Sequence, residues 1–267
     1  MIDLNAIDFY GRHSFHSKTI ELKYGFKEIS APNGATKDIR YMVGSGHEPE
    51  FLQGLFGNAN KKILHWIGTD VQIAVENIKK NGKHPIYDDV IHFCDWYNLR
   101  EELASVGINA EVVIHEPWNM PKDVMPLGDD VMVYMPEMRH DFFRYDLMKE
   151  VEAEYTKRTG KSFVWTDTAN NNAEEQRKVN VFSKMAQCKT LIRGPVHDGC
   201  SHTVLEMLLA GRTVLNTMPM PYCEHIEPTV ESILSKLDAK PHPEAPYFYK
   251  TLLKDRGLMP ALERAIQ

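Results

Sequence analysis

The sequence predicts an α/β protein built from two domains, each a parallel sheet with helices on its faces. Three observations carry this expectation. Short apolar runs alternate with longer stretches of helical spacing along the chain, which is how β–α units that bury a parallel sheet are written. Several of the apolar runs end in glycine or small polar residues where the next helical stretch opens. The alternation stops once, over 116–130, where Pro117, Pro121, Pro126 and Gly128 fall without any period. It then restarts, so this segment reads as a linker between two Rossmann-like halves.

In the first half, 7–10 is a strand that ends at Gly11, and 18–29 has helical spacing through Ile20 and Tyr24 and through Leu22, Phe26 and Ile29. Asn33-Gly34 marks a turn. A strand over 39–43 precedes Gly44-Ser45-Gly46. Another over 62–67 precedes Gly68-Thr69-Asp70 and a helix from 71 to about 80. A strand over 90–94, a helix over 98–106 closed by Gly107, and a strand over 110–114 complete this half. The second half opens with a strand over 131–135 and a helix over 141–158. A strand over 163–165, an Asn-rich loop at Asn170, Asn171 and Asn172, and a helix over 173–186 follow. A strand over 190–192, a helix from Ser201 stopped by Gly211, and a strand over 213–216 come next. Helical patterns over 229–237 and 248–266 close the chain. The expected domains are 1–120 and 121–267, with the last helix crossing back to the first. Ligands of such sheets bind beyond the carboxyl ends of the strands, so the site is expected in a central cleft that the two domains face.

The 267 residues suffice for two domains, and 43% hydrophobic with 25% charged residues is ordinary for a globular protein. No apolar run reaches the ~18 residues of a membrane span. The N-terminus has no basic segment followed by an apolar core, so no secretory signal is expected. Cys94, Cys188, Cys200 and Cys223 form no C-x-x-C pair, which fits a reducing cytoplasm rather than a disulfide framework. The net charge of −6 gives no global attraction to nucleic acid. After the first strand the fingerprint G-x-G-x-x-G is missing, which argues against a nicotinamide-dependent dehydrogenase.

The most informative stretch runs from Arg193 through Gly194-Pro195-Val196-His197-Asp198-Gly199-Cys200-Ser201-His202-Thr203 to Glu206. A strand leads in, and the apolar helix of Val204, Leu205, Leu208 and Leu209 leads out. Small residues sit at the junction, so a helix N-terminus presents its amides and positive dipole end to an anion. Asp198 precedes the helix and Glu206 lies within it, so both reach one extended ligand with a phosphate between two polar ends. Without those flanks the pair would read as a capping carboxylate and one surface Glu. His197, Asp198, Cys200 and His202 are crowded but lack metal-ligand spacing, so no metal is expected.

This segment resembles the E-x7-E motif of retaining glycosyltransferases with the GT-B fold, with Asp198 in place of the first Glu. The resemblance extends over nearly the whole chain in element order, while its specific motifs are confined to 139–144 and 193–216. It implies that Asp198 faces the donor sugar, that Gly199, Ser201, His202 and Thr203 hold the diphosphate, and that Glu206 binds the ribose hydroxyls. Arg139 and Arg144, five apart after the first strand of the second half, resemble the pair of basic residues that neutralises the diphosphate in that group, where Arg with Lys is more usual. The run His65-Trp66-Ile67-Gly68-Thr69-Asp70 resembles an H-W-x-G-[ST]-D run facing the cleft, which gives Asp70 an acceptor-side role; read alone, Asp70 or Thr69 is a helix N-cap. The loop from Gly11 through Lys18 suits acceptor or diphosphate contact.

The implied activity is retaining transfer of a sugar from a nucleoside diphosphate sugar, uridine-linked by preference, to a hydroxyl acceptor, with no bound metal or other cofactor required. The trimmed size resembles phage enzymes that glycosylate hydroxymethylated bases in DNA, for which Lys61, Lys62, Lys79, Lys80 and Lys83 would supply a basic groove. A nucleotide-sugar epimerase and a non-catalytic nucleotide-binding module are the alternatives.

Overall fold

The computed structural model describes residues 2–11, 15–117, 120–121, 123–136, 139–167 and 183–267. The chain divides into two compact units, Met1–Trp118 with Leu252–Gln267, and Asn119–Thr251.

The first unit is a five-stranded parallel sheet in the order β1 (Ile7–Tyr10), β2 (Ile39–Val43), β3 (Lys61–Trp66), β4 (Ile91–Cys94) and β5 (Ala110–Val112). Every pairing is parallel and in register, as in Phe9 opposite Tyr41 and Tyr41 opposite Ile63. One face of alternating residues, among them Ile7, Phe9, Tyr41, Val43, Ile63 and Phe93, packs with Ile20 of helix α1 (Phe15–Tyr24). Leu258, Ala261 and Leu262 from the C-terminal helix join the same cluster. The alternate residues Met42, Leu64, Trp66 and Cys94 are equally buried. Helices α2 (Pro49–Phe56), α3 (Thr69–Asn81) and α4 (Tyr97–Ala104) are left to cover that face.

The order conceals a reversal. The chain leaves α1, makes a single parallel bridge between Glu28 and Phe9 on the outer side of β1, and only then crosses to β2 on the inner side. Ile29 donates its N–H to the Phe9 carbonyl at 2.9 Å in that bridge. The expected helix over 18–29 therefore starts earlier and stops at Tyr24, where Gly25 takes φ +82°. The apolar Phe26 and Ile29 that extended its period belong to this strand stub.

The second unit is another parallel sheet, in the order β10 (Glu224–His225), β9 (Thr213–Asn216), β8 (Cys188–Arg193), β6 (Asp130–Met135) and β7 (Val164–Asp167). Its core joins Val131, Val133, Ile192 and Leu215 to Met148, Val151 and Tyr155 of α5 (Tyr145–Thr159) and Ile233 of α7 (Val230–Lys236). Helix α6 (His202–Leu209) is buried over its whole length, as its near-continuous apolar sequence requires. The expected linker is tied down in part. Arg212, 1% exposed, donates to the carbonyls of Met125 at 2.8 Å and Pro126 at 2.6 Å.

Most expected strands lie within a residue or two of the observed ones, which is normal where strand ends fray. The short α2 and β10 were not anticipated. The helical pattern over 248–266 is two helices, α8 (Ala245–Arg256) and α9 (Leu258–Ile266). They break at Gly257, where a Cβ would lie 2.4 Å from the Leu253 carbonyl oxygen. Of the expected helix over 173–186, residues 183–187 carry its helical end; the rest, with the Asn-rich loop, lies outside the described residues.

Candidate functional site

The second sheet places its strands so that β6 is followed in the chain by β7 on one side and by β8 on the other. The connections leaving the carboxyl ends of β6 and β8 therefore diverge, and the crevice between them is the topological switch point at which doubly wound sheets bind ligands. The two motif-bearing segments, 136–144 and 194–201, are these two connections.

They are bound to each other. Val196 donates its N–H to the Phe142 carbonyl at 3.0 Å. A Cβ on Gly194 would come within 2.7 Å of the Met148 methyl group, so the β8 connection lies against the start of α5. Thr217, just past β9, donates its hydroxyl to Pro195 O at 2.8 Å. Asp198 is held by Arg193 at the end of β8, whose Nε and Nη2 both donate to Oδ2, at 3.0 and 2.6 Å. The Arg193 side chain is 7% exposed and that of Asp198 21%. The guanidinium lies 4.6 Å from the Tyr134 ring centroid and 5.0 Å from that of Phe143. Asp198 is thus a fixed, charge-compensated carboxylate that anchors its loop. Arg193 was not singled out as a site residue. The signal was an arginine directly after the apolar pair Leu191-Ile192 at the end of its strand.

Gly199 and Cys200 are buried, Ser201 is the N-cap of α6 without a side-chain capping bond, and His202, Thr203 and Glu206 are 7–8% exposed. Glu206 is therefore no surface residue: it is a carboxylate enclosed in an apolar helix, a placement that carries a desolvation cost unless it is hydrogen-bonded. Across the crevice, Arg144 is the N-cap of α5 with φ +58° and ψ +52°, a left-handed conformation that a non-glycine residue adopts at a cost. Its Nε is buried and has no hydrogen-bond partner among the described residues. Arg139 is exposed, with its guanidinium 3.9 Å from the Phe142 ring centroid.

The remaining candidates belong to the first unit. Asp70 lies in the first turn of α3, but the N-cap is Gly68. Asp70 Oδ2 instead accepts the N–H of Ser45 at 2.7 Å, and Ser45 is itself left-handed at φ +54°. His65 and Trp66 turn into the core: His65 Nε2 donates to Val113 O at 2.9 Å, and Trp66 Nε1 donates to His92 Nδ1 at 3.0 Å. The Gly11 N–H donates to Glu28 Oε1 at 2.7 Å. Arg12, His13 and Ser14 lie outside the described residues. Burial pushes the thiols of Cys94, Cys188 and Cys223 up to about 12, so none of the three is a thiolate nucleophile near neutrality. Among the described residues, no cluster of His, Cys, Asp and Glu is arranged to hold a metal ion.

No protein-family model and no curated protein matches the sequence. Solved structures do match. The lipopolysaccharide outer core galactosyltransferase WaaB superposes with a TM-score of 0.54 at 14% identity, covering 97% of this chain and 98% of that one. TarM, from S. aureus, gives 0.50 at 12% over 85% of this chain. The pneumococcal O-GlcNAc transferase GtfA, solved with UDP and GlcNAc, gives 0.50 at 9% over 93%. The chain spans 53% of the TarM chain and 57% of the GtfA chain. At these identities the likeness establishes the fold. It is the GT-B fold, with two Rossmann-like parallel sheets.

Proposed function

We propose that the protein is a retaining glycosyltransferase that moves the sugar of a uridine diphosphate sugar onto a hydroxyl acceptor. The observation that carries this reading is the convergence, at the switch point of the second sheet, of Arg144, the Arg193–Asp198 loop and the N-terminus of α6. A crevice of this kind offers cations, backbone amides and a helix dipole to one diphosphate. TarM and GtfA, each solved with UDP, agree with it.

In this reading Arg144 and Arg139 neutralise the diphosphate as the sugar–phosphate bond breaks. Charge then builds on the leaving group, where fixed cations stabilise the transition state. The strain at Arg144 is a cost that a merely structural arginine would not need to carry. The first-turn amides of α6, after Gly199 and Ser201, receive a phosphate oxygen alongside His202 and Thr203. Glu206 accepts the ribose hydroxyls. Asp198 is oriented toward the sugar by Arg193, and the departing phosphate takes the acceptor proton on the same face. Asp70 is placed on the acceptor side.

The described lysines favour a small or glycan hydroxyl over a base in DNA. Lys61 and Lys62 open β3, and Lys79 and Lys80 close α3. In a parallel sheet both places lie at the amino edge, opposite the ligand edge. Lys62 and Lys83 are moreover paired with Asp89 and Asp88.

The test is thermal unfolding with UDP, UDP-sugars and other nucleotides, repeated with Glu206→Ala. A ligand at 100 times its dissociation constant adds about 2.7 kcal/mol. We expect uridine diphosphate compounds to raise the midpoint and Glu206→Ala to remove the effect. No shift at millimolar nucleotide rejects the donor site. Donor isomerised without acceptor would make it an epimerase, and binding without turnover a nucleotide-binding module.

A further inference from the structure

The first unit contains a pocket of about 770 Å³, formed by residues of the first unit alone. That volume is within the range of small-molecule sites. We propose that this pocket is a saccharide-binding subsite for a neutral glycan. The proposal rests on the reading above that the protein acts on sugars.

Its floor is rigid. Tyr87 is 5% exposed, and its hydroxyl donates to Gly46 O at 2.8 Å. His92 Nε2 donates to Tyr87 O at 2.8 Å, and His92 Nδ1 accepts the Trp66 indole N–H. Burial, the largest influence, lowers the His92 pKa, in keeping with a neutral ring that donates through one nitrogen and accepts through the other. Gly46 is required here, because a Cβ would lie 2.4 Å from the Trp66 ring. An aromatic floor locked in this way loses little entropy when a ligand lies on it. Phe51, from the first turn of α2, adds a second aromatic wall.

The rim is chosen for hydroxyl groups. Asn77 and Asn81 line the pocket from α3, four residues apart and so on one face of the helix. Asparagine is a poor residue for a helix interior, where Asn77 stands, and both of these are exposed with no described hydrogen bond. Opposite them stand the carboxylates of Glu48 and Glu50. Amides that donate and accept, carboxylates that accept, and aromatic faces together suit a pyranose with its hydroxyls and apolar ring face. The two carboxylates disfavour an anionic ligand, and the one lysine of the rim, Lys83, is already paired with Asp88. The pocket also reaches the acceptor-side candidate: His47 on its wall lies 3.6 Å from Asp70 Oδ1 and 3.5 Å from Glu48 Oε1.

The experiment is saturation-transfer NMR of the full chain, without donor, using maltotriose, chitotriose and lactose, with galacturonic acid as the anionic counter-probe. We expect at least one of the three neutral saccharides to bind. The double variant Asn77→Ala/Asn81→Ala and the single variant Glu50→Gln should each weaken it roughly tenfold, the effect of losing hydrogen bonds to bound hydroxyls. These side chains are exposed, so both variants should keep the wild-type melting temperature. Glu206→Ala should leave saccharide binding unchanged. Absence of binding by all three, binding that the variants do not alter, or tighter binding of galacturonic acid would each overturn the proposal. Because no donor is present, failure here leaves the UDP-sugar reading standing, and failure of the nucleotide shift leaves this result standing.

Discussion

The two sheets share one topology and fill it with opposite charge. In each, the first strand has its chain successor on one side and the next strand on the other; β7 is a full strand in the second unit, while Glu28 makes one bridge in the first. Each therefore has a switch point. In the first unit the amides there are taken by carboxylates of the same chain, Glu28 on Gly11 and Asp70 on Ser45. In the second unit the corresponding connections carry Arg139, Arg144 and Arg193, and Arg193 is paired with the carboxylate of Asp198. A crevice whose amides are satisfied internally by anions repels a phosphate, and one lined with arginines attracts it. The two sheets offer switch points of the same topology, and in the reading proposed above side-chain charge favours the second for a diphosphate.

The largest effect that would test this contrast is at Arg193. Arg193→Met keeps the stem but removes the guanidinium that compensates the Asp198 charge, and we expect about 3 kcal/mol lost in urea unfolding, with loss of the uridine diphosphate shift. Retained nucleotide binding would show that the Arg193–Asp198 loop does not shape the anion site.

Asp8, a buried carboxylate of β1 in the first unit, should come next. Burial alone would raise its pKa, but the N–H groups of Lys37 and Thr36, at 2.7 and 2.6 Å, together with the Lys37 ammonium outweigh it and hold the carboxyl below its usual value. A lowered folded pKa gives stability that is present above the unfolded value, near 4, and is lost as pH falls through the folded one. Asp8→Asn should cost roughly 2 kcal/mol at pH 7 and flatten the stability curve below about pH 4. Urea unfolding across pH checks it, and nucleotide affinity should not change.

Arg144→Gly separates strain from function. Glycine accepts φ +58° freely, so stability should rise by about 1 kcal/mol while diphosphate affinity falls at least tenfold. Unchanged affinity by calorimetry would remove Arg144 from the phosphate site. The smallest effect is at Ser45, the left-handed residue of the first switch point. Ser45→Gly should stabilise by about 0.5 kcal/mol and leave nucleotide binding intact, and any loss of binding would break the distinction between the two crevices.

The sequence alone determined the alternation of strand and helix, the break over 116–130, and the place of Glu206 on a helix after a small-residue turn. These are local matters: side-chain period, glycine and proline conformations, and the spacing of a motif. They set most strands to within a residue or two. Where they erred, a distant contact had taken over. Phe26 and Ile29 continue a helical period, yet the bridge at Phe9 claims that segment for the sheet. Gly257 divides two helices where the chain bridges to Ile114, whose N–H donates to the Arg256 carbonyl at 2.7 Å.

Only the tertiary structure decided which strands neighbour which, and with that which loops share a crevice. Strand order joins residues far apart in the chain, and no periodicity encodes it. The burial of Glu206 and the carboxylates that occupy the amides of Gly11 and Ser45 depend on that order. Charge at a site belongs to the residues the fold brings together, so the sequence could name the arginines and carboxylates but not which of them meet.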